Sequence, residues 1–554
     1  MNTLLINLTR FGDLLQSRAA VADLTRCGHR AALVCLENFA AAAELLPGIT
    51  HVLPLPSSAL LAGLEPERAY PVGSDGQRPA PRKKWHKSLA ALSDFRAGLE
   101  NAFPYERVCN LTPSLAARLL TRYLAGSRPC SGFSIDEYGF GVNGNGWAAF
   151  FLGSSLERGL SPFNVADLFR RTVADNKKDA YVPGDASLSG PGDAVLNSMR
   201  ERLSREAPDG QRAFVAFQPG ASEERRRWPV EYFAALGDIL WRKAGLCPLI
   251  LGSGAEGNLA ESYAQTARHP HINLCGTTTL QELSAALCLS ELLISNDTGT
   301  MHLAAGLGVP VLAVFLATAQ PFDTGPYRED CCCLEPDLSC HPCRFGNNCP
   351  HGLQCRYALQ PEFFASLVIS RLREDKWKLP EGGDMQGSAA RVWISRFDAH
   401  GFMDLRSLSG HETSGRSIRL ALLRRYIRAF LDEGETGGGT GPDLPRSPEK
   451  DRQDRKDEGS ASALALLELL QQQTALALRQ GGGPALARLP ATWRRTHDAL
   501  RSNPDLAALS LLFVQETLCG SEKGPKQELS ELIRSVDRFS RLLKNFVAEM
   551  ETLD

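Results

Sequence analysis

The sequence predicts an α/β protein made of two Rossmann-like halves facing a cleft, followed by a C-terminal helical extension. Three observations predict it. Short apolar runs alternate with helical stretches from residue 3 to beyond 150, a second series with the same rhythm starts at Ala213, and strand ends in both series run into polar turns that carry glycine. The length of 554 residues leaves room for about three or four domains. Sixty-one Lys plus Arg against 63 Asp plus Glu give a net charge of −2, which argues against a nucleic-acid coat or a polybasic membrane anchor. With 43% hydrophobic and 22% charged residues, the composition is globular rather than fibrous or wholly disordered.

In the first half, residues 3–8, 31–36 and 50–55 read as strands, with a helix from Leu14 to Cys27 that Gly28 stops. The opening Met1–Leu8 has no basic n-region and only a short apolar run, so it reads as the first strand and not as a signal peptide. Residues 57–87 are polar, Pro-rich and basic near their end, and read as a mobile surface segment; alternation resumes at Arg107–Leu111. In the second half the strands are 213–217, 248–251, 272–274, 292–295 and 311–315. The longest apolar stretch, Leu303–Ala319, is broken by Gly306, Gly308 and Pro310, and reads as helix, turn and strand instead of a membrane span. Residues 391–405 suggest a hairpin around Asp398–Gly401, followed by a helix from Ser417 to Leu431. Residues 434–460 combine Gly, Pro and mixed charge and read as a flexible linker. In the last segment Leu529, Leu532, Ile533, Val536, Phe539, Leu542, Leu543 and Phe546 recur at helical spacing. The expected division is therefore 1–185, 186–380 with a Cys-rich finger at 331–356, a small extension 385–433, the linker 434–460 and a helical module 461–554.

The chemistry concentrates at strand ends. In Ser295-Asn296-Asp297-Thr298-Gly299-Thr300-Met301-His302, a strand ends in a polar turn that opens a helix, whose free N–H groups and positive dipole end suit an anion. Asp297 is a candidate cap of that helix, and His302 lies one turn beyond Thr298. Gln218-Pro219-Gly220 followed by Arg225-Arg226-Arg227 supplies guanidinium forks suited to a diphosphate. Glu256, after Gly252-Ser253-Gly254, offers a carboxylate to ribose hydroxyls. Near the chain's start, Asp13 follows Gly12 at a strand–helix junction; it is either a helix cap or a general base.

Taken together, LTRFGDLLQS, QPGASEERRRWPVEYFAAL, NLCGTTTLQELSAAL and SNDTGTMHLAAGLGVPVLAVF resemble glycosyltransferase family 9, the ADP-heptose-dependent heptosyltransferases of lipopolysaccharide core assembly, over roughly residues 1–375. The resemblance implies a GT-B fold, with residues 1–185 as the acceptor domain and 186–380 as the nucleotide-sugar domain. It also implies inverting transfer of a heptose or related sugar from an ADP-linked donor to a lipopolysaccharide-core or other envelope glycan. It gives Asp13 the role of general base, and Arg226, Glu256, Asp297, Thr298, Gly299, Thr300 and His302 that of donor-binding residues. An anionic glycolipid acceptor makes Arg82, Lys83, Lys84 and Lys87 candidates for steering it at the cytoplasmic face of the inner membrane, the alternative being an ordinary solvated loop. Other readings are a protein heptosyltransferase of the autotransporter type, a nucleotide-sugar epimerase of GT-B fold, and a non-catalytic scaffold.

Fifteen cysteines without an export signal predict reduced thiols, and seven of them fall between Cys331 and Cys355. Cys340, Cys343, Cys349 and Cys355 have the ligand count of a closed structural zinc or iron site, against free thiols or a redox pair. Catalysis itself requires no cofactor in this reading. Finger and helical tail are candidate oligomer contacts.

Overall fold

The computed structural model describes all residues except 63–84, 157–158, 160, 175–185, 345, 381–388, 440–443, 445–457, 482, 518–524 and 554. Its first lobe is built on a six-stranded sheet: β1 (Asn2–Ile6), β2 (Arg30–Leu36), β3 (Ile49–Leu55), β4 (Arg107–Asn110), β5 (Cys130–Ile135) and β6 (Gly141–Asn143), in the order β3-β2-β1-β4-β5-β6. All its pairings are parallel except that of β5 with β6. The second lobe has eight strands: β7 (Ala213–Gln218), β8 (Leu246–Ile250), β9 (Ile272–Asn273), β10 (Leu293–Asn296), β11 (Val311–Val314), β12 (Cys332–Pro336), β13 (Ala390–Phe397) and β14 (Met403–Ser407). They run in the order β14-β13-β12-β11-β10-β7-β8-β9.

Side chains alternate across both sheets, as a period of two demands. Leu5, Leu33 and Cys35 pack on one face of the first sheet; Leu4, Ile6, Ala32 and Val34 pack on the other. In the second sheet Ala216, Leu249, Leu293 and Val311 oppose Val215, Phe217, Ile294 and Leu312 in the same way. Strand order reverses between β1 and β4 in the first sheet and between β7 and β10 in the second. In open α/β sheets such switch points open a crevice at the strands' carboxyl ends. The turns holding Asp13, Gly220 and Asp297 follow β1, β7 and β10.

Several expectations change. The helix read from Leu14 to Cys27 is two, Phe11–Gln16 and Arg18–Arg26, meeting at Ser17. Part of the segment read as mobile is helical: Ser57–Ala62 forms a helix and Trp85 opens an 18-residue helix to Ala102, while 63–84 lie outside the described residues. The Cys-rich finger cannot begin at 331, because Cys332–Pro336 is a core strand. Cys332 lies in one core cluster and its neighbours Cys331 and Cys333 in the other, so the triplet straddles the sheet.

The 391–405 hairpin is present as β13 and β14, and it extends the second sheet antiparallel from β12. It then reaches the first lobe. The Asp167 carboxylate, on the helix Val165–Val173, accepts from the Tyr327 hydroxyl at 2.7 Å and from Met403 N–H at 2.9 Å. Arg170, 1% exposed, donates to Gly401 O at 2.8 Å and pairs with Asp23 at 3.1 Å. Arg171 pairs with Asp432 at 2.6 Å, and Trp147 Nε1 donates to the same carboxylate at 2.7 Å. Residues 385–433 thus contain a brace between the lobes.

The C-terminal helices Glu458–Gln480, Pro484–Ser502, Ala507–Thr517 and Pro525–Leu553 share one core with the lobes. Leu511 lies on Gly153, Phe546 meets the Tyr426 ring at 5.4 Å, and Arg425 pairs with Glu549. Most of the presumed linker lies outside the described residues. A chain ended after Gly434 would uncover this apolar contact, so it is expected to melt several degrees lower or to aggregate. Thermal melting and soluble yield check this; an unchanged melting point would show the module to be dispensable to the fold.

Candidate active site

The donor-type residues converge at the carboxyl ends of three neighbouring strands, β10, β7 and β8. Asn296, fully buried at the end of β10, donates through Nδ2 to Pro219 O at 2.9 Å and Gly220 O at 3.3 Å. Its Oδ1 accepts from Trp228 N–H at 2.8 Å. One buried amide therefore ties the glycine turn, the arginine segment and the polar turn together; the signal for it is the Asn between a strand and the Asp-Thr-Gly. Thr300 Oγ1 donates to Gln218 Oε1 at 3.2 Å across the same strand ends.

The structure separates three adjacent arginines. Arg225 turns to Glu223 and Asn347 O, Arg227 Nε donates to Ala221 O, and Arg226 alone pairs with Asp297. Asp297 consequently does not cap the following helix: Thr298 is its N-cap, with extended backbone, no side-chain cap bond, and an Oγ1 that lies 3.0 Å from Ser295 Oγ. In the first turn of Gly299–Gly306, Met301 N–H donates to Thr298 O at 3.2 Å; the N-terminal end of such a helix, with its positive dipole, suits an anion. Glu256 caps its own turn, accepting from Ser253 N–H at 2.8 Å and Oγ at 3.0 Å, and its carboxylate fills the space over Gly220 where any larger residue would place a Cβ.

The two lobes touch glycine to glycine. A Cβ on Gly12 would lie 3.1 Å from His302 Cδ2 and 3.2 Å from Gly299 Cα, and a Cβ on Gly299 would overlap the Phe11 ring. The helix carrying Asp13 thus rests directly on the helix opened by Thr298. His302 is buried in that contact and does not line the donor site as a cation: burial, assisted by the Arg18 guanidinium, holds its imidazole down to about 3. Arg18, which the sequence reading passed over, is 2% exposed and donates to Ala186 O and Tyr327 O at 2.7 Å each, a second tie between the lobes.

Asp13 lines a cavity of ≈ 170 Å³ together with Thr9, Ser154, Ser161, Asp323 and Thr324, over an apolar floor that includes Phe163. Gln16 Nε2 donates to Asp13 Oδ1 at 3.3 Å. Asp323 belongs to a four-residue helix, Pro321–Thr324, and no sequence pattern marked it. Of the proposed acceptor-steering residues, Lys87 is exposed on the helix starting at Trp85; Arg82, Lys83 and Lys84 lie outside the described residues.

Cys340, Cys343, Cys349 and Cys355 lie near one another, and burial and then the neighbouring thiols push Cys343 up. Among the described residues, however, no group of three or more His, Cys, Asp or Glu side chains is placed to hold a metal ion. Cys340, Cys343, Cys349 and Cys355 form no disulfide, and Cys343 Sγ turns toward Cys340 O.

Two buried groups give opposite pH dependence. Burial pushes the Asp167 carboxyl up to about 6 even beside Arg170, and His302 stands at about 3. Against unfolded values near 3.9 and 6.5, the folded chain holds an extra proton at Asp167 and lacks one at His302 over about pH 4.5–6. Asp167 makes stability rise as pH falls through 6; His302 makes it fall as pH drops below 6.5. Urea titrations should therefore show Asp167→Asn losing about 1.4 kcal/mol per pH unit relative to wild type on acidification, and His302→Asn gaining as much. Parallel profiles for all three proteins would contradict both assignments.

Two nucleotide-fold lobes joined across their switch points form a GT-B type of architecture. The profile of glycosyltransferase family 9 (heptosyltransferase) matches residues 166–352. Lipooligosaccharide heptosyltransferase 2 of Campylobacter jejuni is 33% identical over 155 residues, 27% of this chain, and the match spans about half, 47%, of that protein. Lipopolysaccharide heptosyltransferase 1 of Pseudomonas aeruginosa is 25% identical over 359 residues, 62% of this chain and 86% of its own. The solved Escherichia coli ADP-heptose lps heptosyltransferase II superposes with a TM-score of 0.47 at 14% identity, over 68% of this chain and 99% of that one. Over these residues the chain is similar to the heptosyltransferases of glycosyltransferase family 9. Among the described residues no helix is long and apolar enough to cross a membrane.

Proposed function

We propose that this glycosyltransferase moves a heptose, or a related sugar, from an ADP-linked donor to a lipopolysaccharide-core or other envelope glycan, with inversion at the anomeric carbon. One observation carries the reading: the Gly12–Gly299 contact sets the Asp13 helix of one lobe on the anion-competent helix of the other. The names of the relatives support a heptosyl donor and an envelope acceptor.

Chemically, Asp13 takes the proton of the acceptor hydroxyl. That oxygen attacks the anomeric carbon from the face opposite the diphosphate, and the carbon–oxygen bond to the diphosphate breaks. The departing charge is met by the N–H groups at the start of the helix, at 299 and 300, and by Arg226, which Asp297 holds in place. Glu256, fixed by Ser253 above Gly220, takes the ribose hydroxyls. Lys87 steers an anionic glycolipid at the cytoplasmic face of the inner membrane.

A second reading, transfer to a protein hydroxyl, is favoured by the cavity at Asp13. It is small and carries a second carboxylate, Asp323, among hydroxyls, a setting that suits an uncharged group better than an anionic sugar.

A thermal-shift panel of ADP, UDP, GDP and CMP tests the donor; a rise of several degrees with ADP alone is expected, and stabilisation by UDP alone would overturn it. Turnover of the donor with no acceptor present would identify an epimerase instead. Offering a glycan and a serine-bearing peptide side by side decides the acceptor.

A further inference from the structure

Large apolar side chains of the first lobe stand in solvent at the carboxyl end of its sheet. Leu115 and Leu119, 64% and 51% exposed, share one stripe of the helix Leu115–Ala125, and Arg122 continues it. Tyr138 and Phe140, 74% and 71% exposed, form the tip of the β5–β6 hairpin. That tip is a fixed turn: Asp136 Oδ1 accepts from Tyr138 N–H at 2.9 Å and from Phe140 N–H at 2.8 Å, and Asp136 N–H donates to Phe140 O at 2.9 Å. Arg118, 6% exposed, ties helix and hairpin into one surface, donating to Ser134 O at 2.8 Å, Val142 O at 2.7 Å and Asn143 Oδ1 at 2.9 Å. Rings held outward by an ordered backbone keep their hydration cost until something covers them, and docking there orders little that is not ordered already.

Charge and position indicate the cover. Arg122 and, at the same end of the sheet, Arg10 and Lys87 are exposed and make no ion pair among the described residues. Of the carboxylates at this end, Asp136 holds the turn and Glu37 accepts from Ser57 Oγ and Ser58 N–H at 3.1 Å each, which leaves the exposed Glu137. The balance is cationic and complements an anionic surface. The rings sit on a projecting turn and not in a groove, an arrangement suited to the headgroup boundary of a bilayer, where aromatic rings and arginines with apolar stems settle. Pro113, two residues before Leu115, lines the Asp13 cavity, so this surface is continuous with the acceptor's entrance.

We propose that the Leu115–Leu119 stripe and the Tyr138–Phe140 tip dock the first lobe on an anionic lipid bilayer, with the Asp13 cavity beside the docked face. This rests on the envelope-glycan reading above and names the surface from which such an acceptor is taken.

The test is flotation of the full chain with vesicles of phosphatidylglycerol and phosphatidylcholine in equal parts. Wild type is expected to float with them. Tyr138→Ser combined with Phe140→Ser should lower the partition by about tenfold or more, because two rings no longer enter the boundary. Arg122→Gln should lower it by about fivefold, the share of one cation near an anionic surface. Leu476→Ser removes a 46% exposed leucine from the C-terminal module and should change nothing. All these side chains are exposed, and melting points verify that the variants fold. Wild type that stays out of the vesicle fraction, or a loss through Leu476→Ser equal to that of the ring pair, would overturn the proposal. So would a wild-type oligomer that the ring pair dissolves without lipid, since the cover would then be a second copy. The ADP melting shift separates the two readings: flotation absent while ADP still raises the melting point sinks this surface alone, and flotation retained without an ADP shift sinks the donor reading alone.

Discussion

Asp13→Asn is expected to slow sugar transfer by about 10²–10⁴-fold, the range a positioned general base supplies, while the protein still binds ADP as wild type does. Asparagine preserves the size of the side chain and an oxygen for the Gln16 amide, which now lies 3.3 Å from Asp13 Oδ1, but it cannot take up the acceptor's proton. The donor groups Arg226, Asp297 and Glu256 stand on the other lobe and are untouched. Single-turnover transfer together with a nucleotide melting shift separates the two effects. Normal turnover would remove Asp13 from the chemistry, and lost nucleotide binding would make it a donor ligand.

Gly299→Ala is expected to lower transfer by about a hundredfold, because displacing a catalytic group by an ångström can cost that much. A methyl group there overlaps the Phe11 ring, which belongs to a six-residue helix that also carries Asp13, so the ring cannot yield without moving the carboxylate. The overlap also costs about 1–3 kcal/mol of stability, as overpacking does. Gly308→Ala is the control: it lies at the end of the same helix and nothing stands where its Cβ would go, although its φ of +83° adds local backbone strain. If Gly299→Ala transfers sugar as fast as that control, the contact between the glycines does not position Asp13.

Much of this architecture is written in short-range pattern. Residues 31–36 and 311–315 read as strands because buried parallel strands are short continuous apolar runs, and they appear as Arg30–Leu36 and Val311–Val314. Position along a strand also locates the chemistry, since Asp13, Gly220 and Asp297 all follow strand ends. The rest depended on partners distant in sequence. Nothing in Arg225-Arg226-Arg227 says which guanidinium meets Asp297; the single turn Glu224–Arg226 decides it by turning the neighbours toward Asn347 and Ala221. The burial of His302 was not legible, because its helix face could be read and the opposing Gly12 could not. Asp323 sits on four residues with no periodicity to read. Hairpin 390–407 was legible as a hairpin, but its pairing with β12 and its reach to Asp167 are long-range facts.

That reach restricts how the enzyme can work. Swinging the lobes apart as rigid bodies would strip Asp167 and Arg170, both in the dry interior, of Met403, Tyr327 and Gly401 in one stroke. Each of these hydrogen bonds to a charged group is worth about 1.5–3 kcal/mol, and all would be lost together. The halves are geared as one block, so traffic of nucleotide and sugar falls to side chains and short turns at the rim, and catalytic tempo should follow the loosening of those turns.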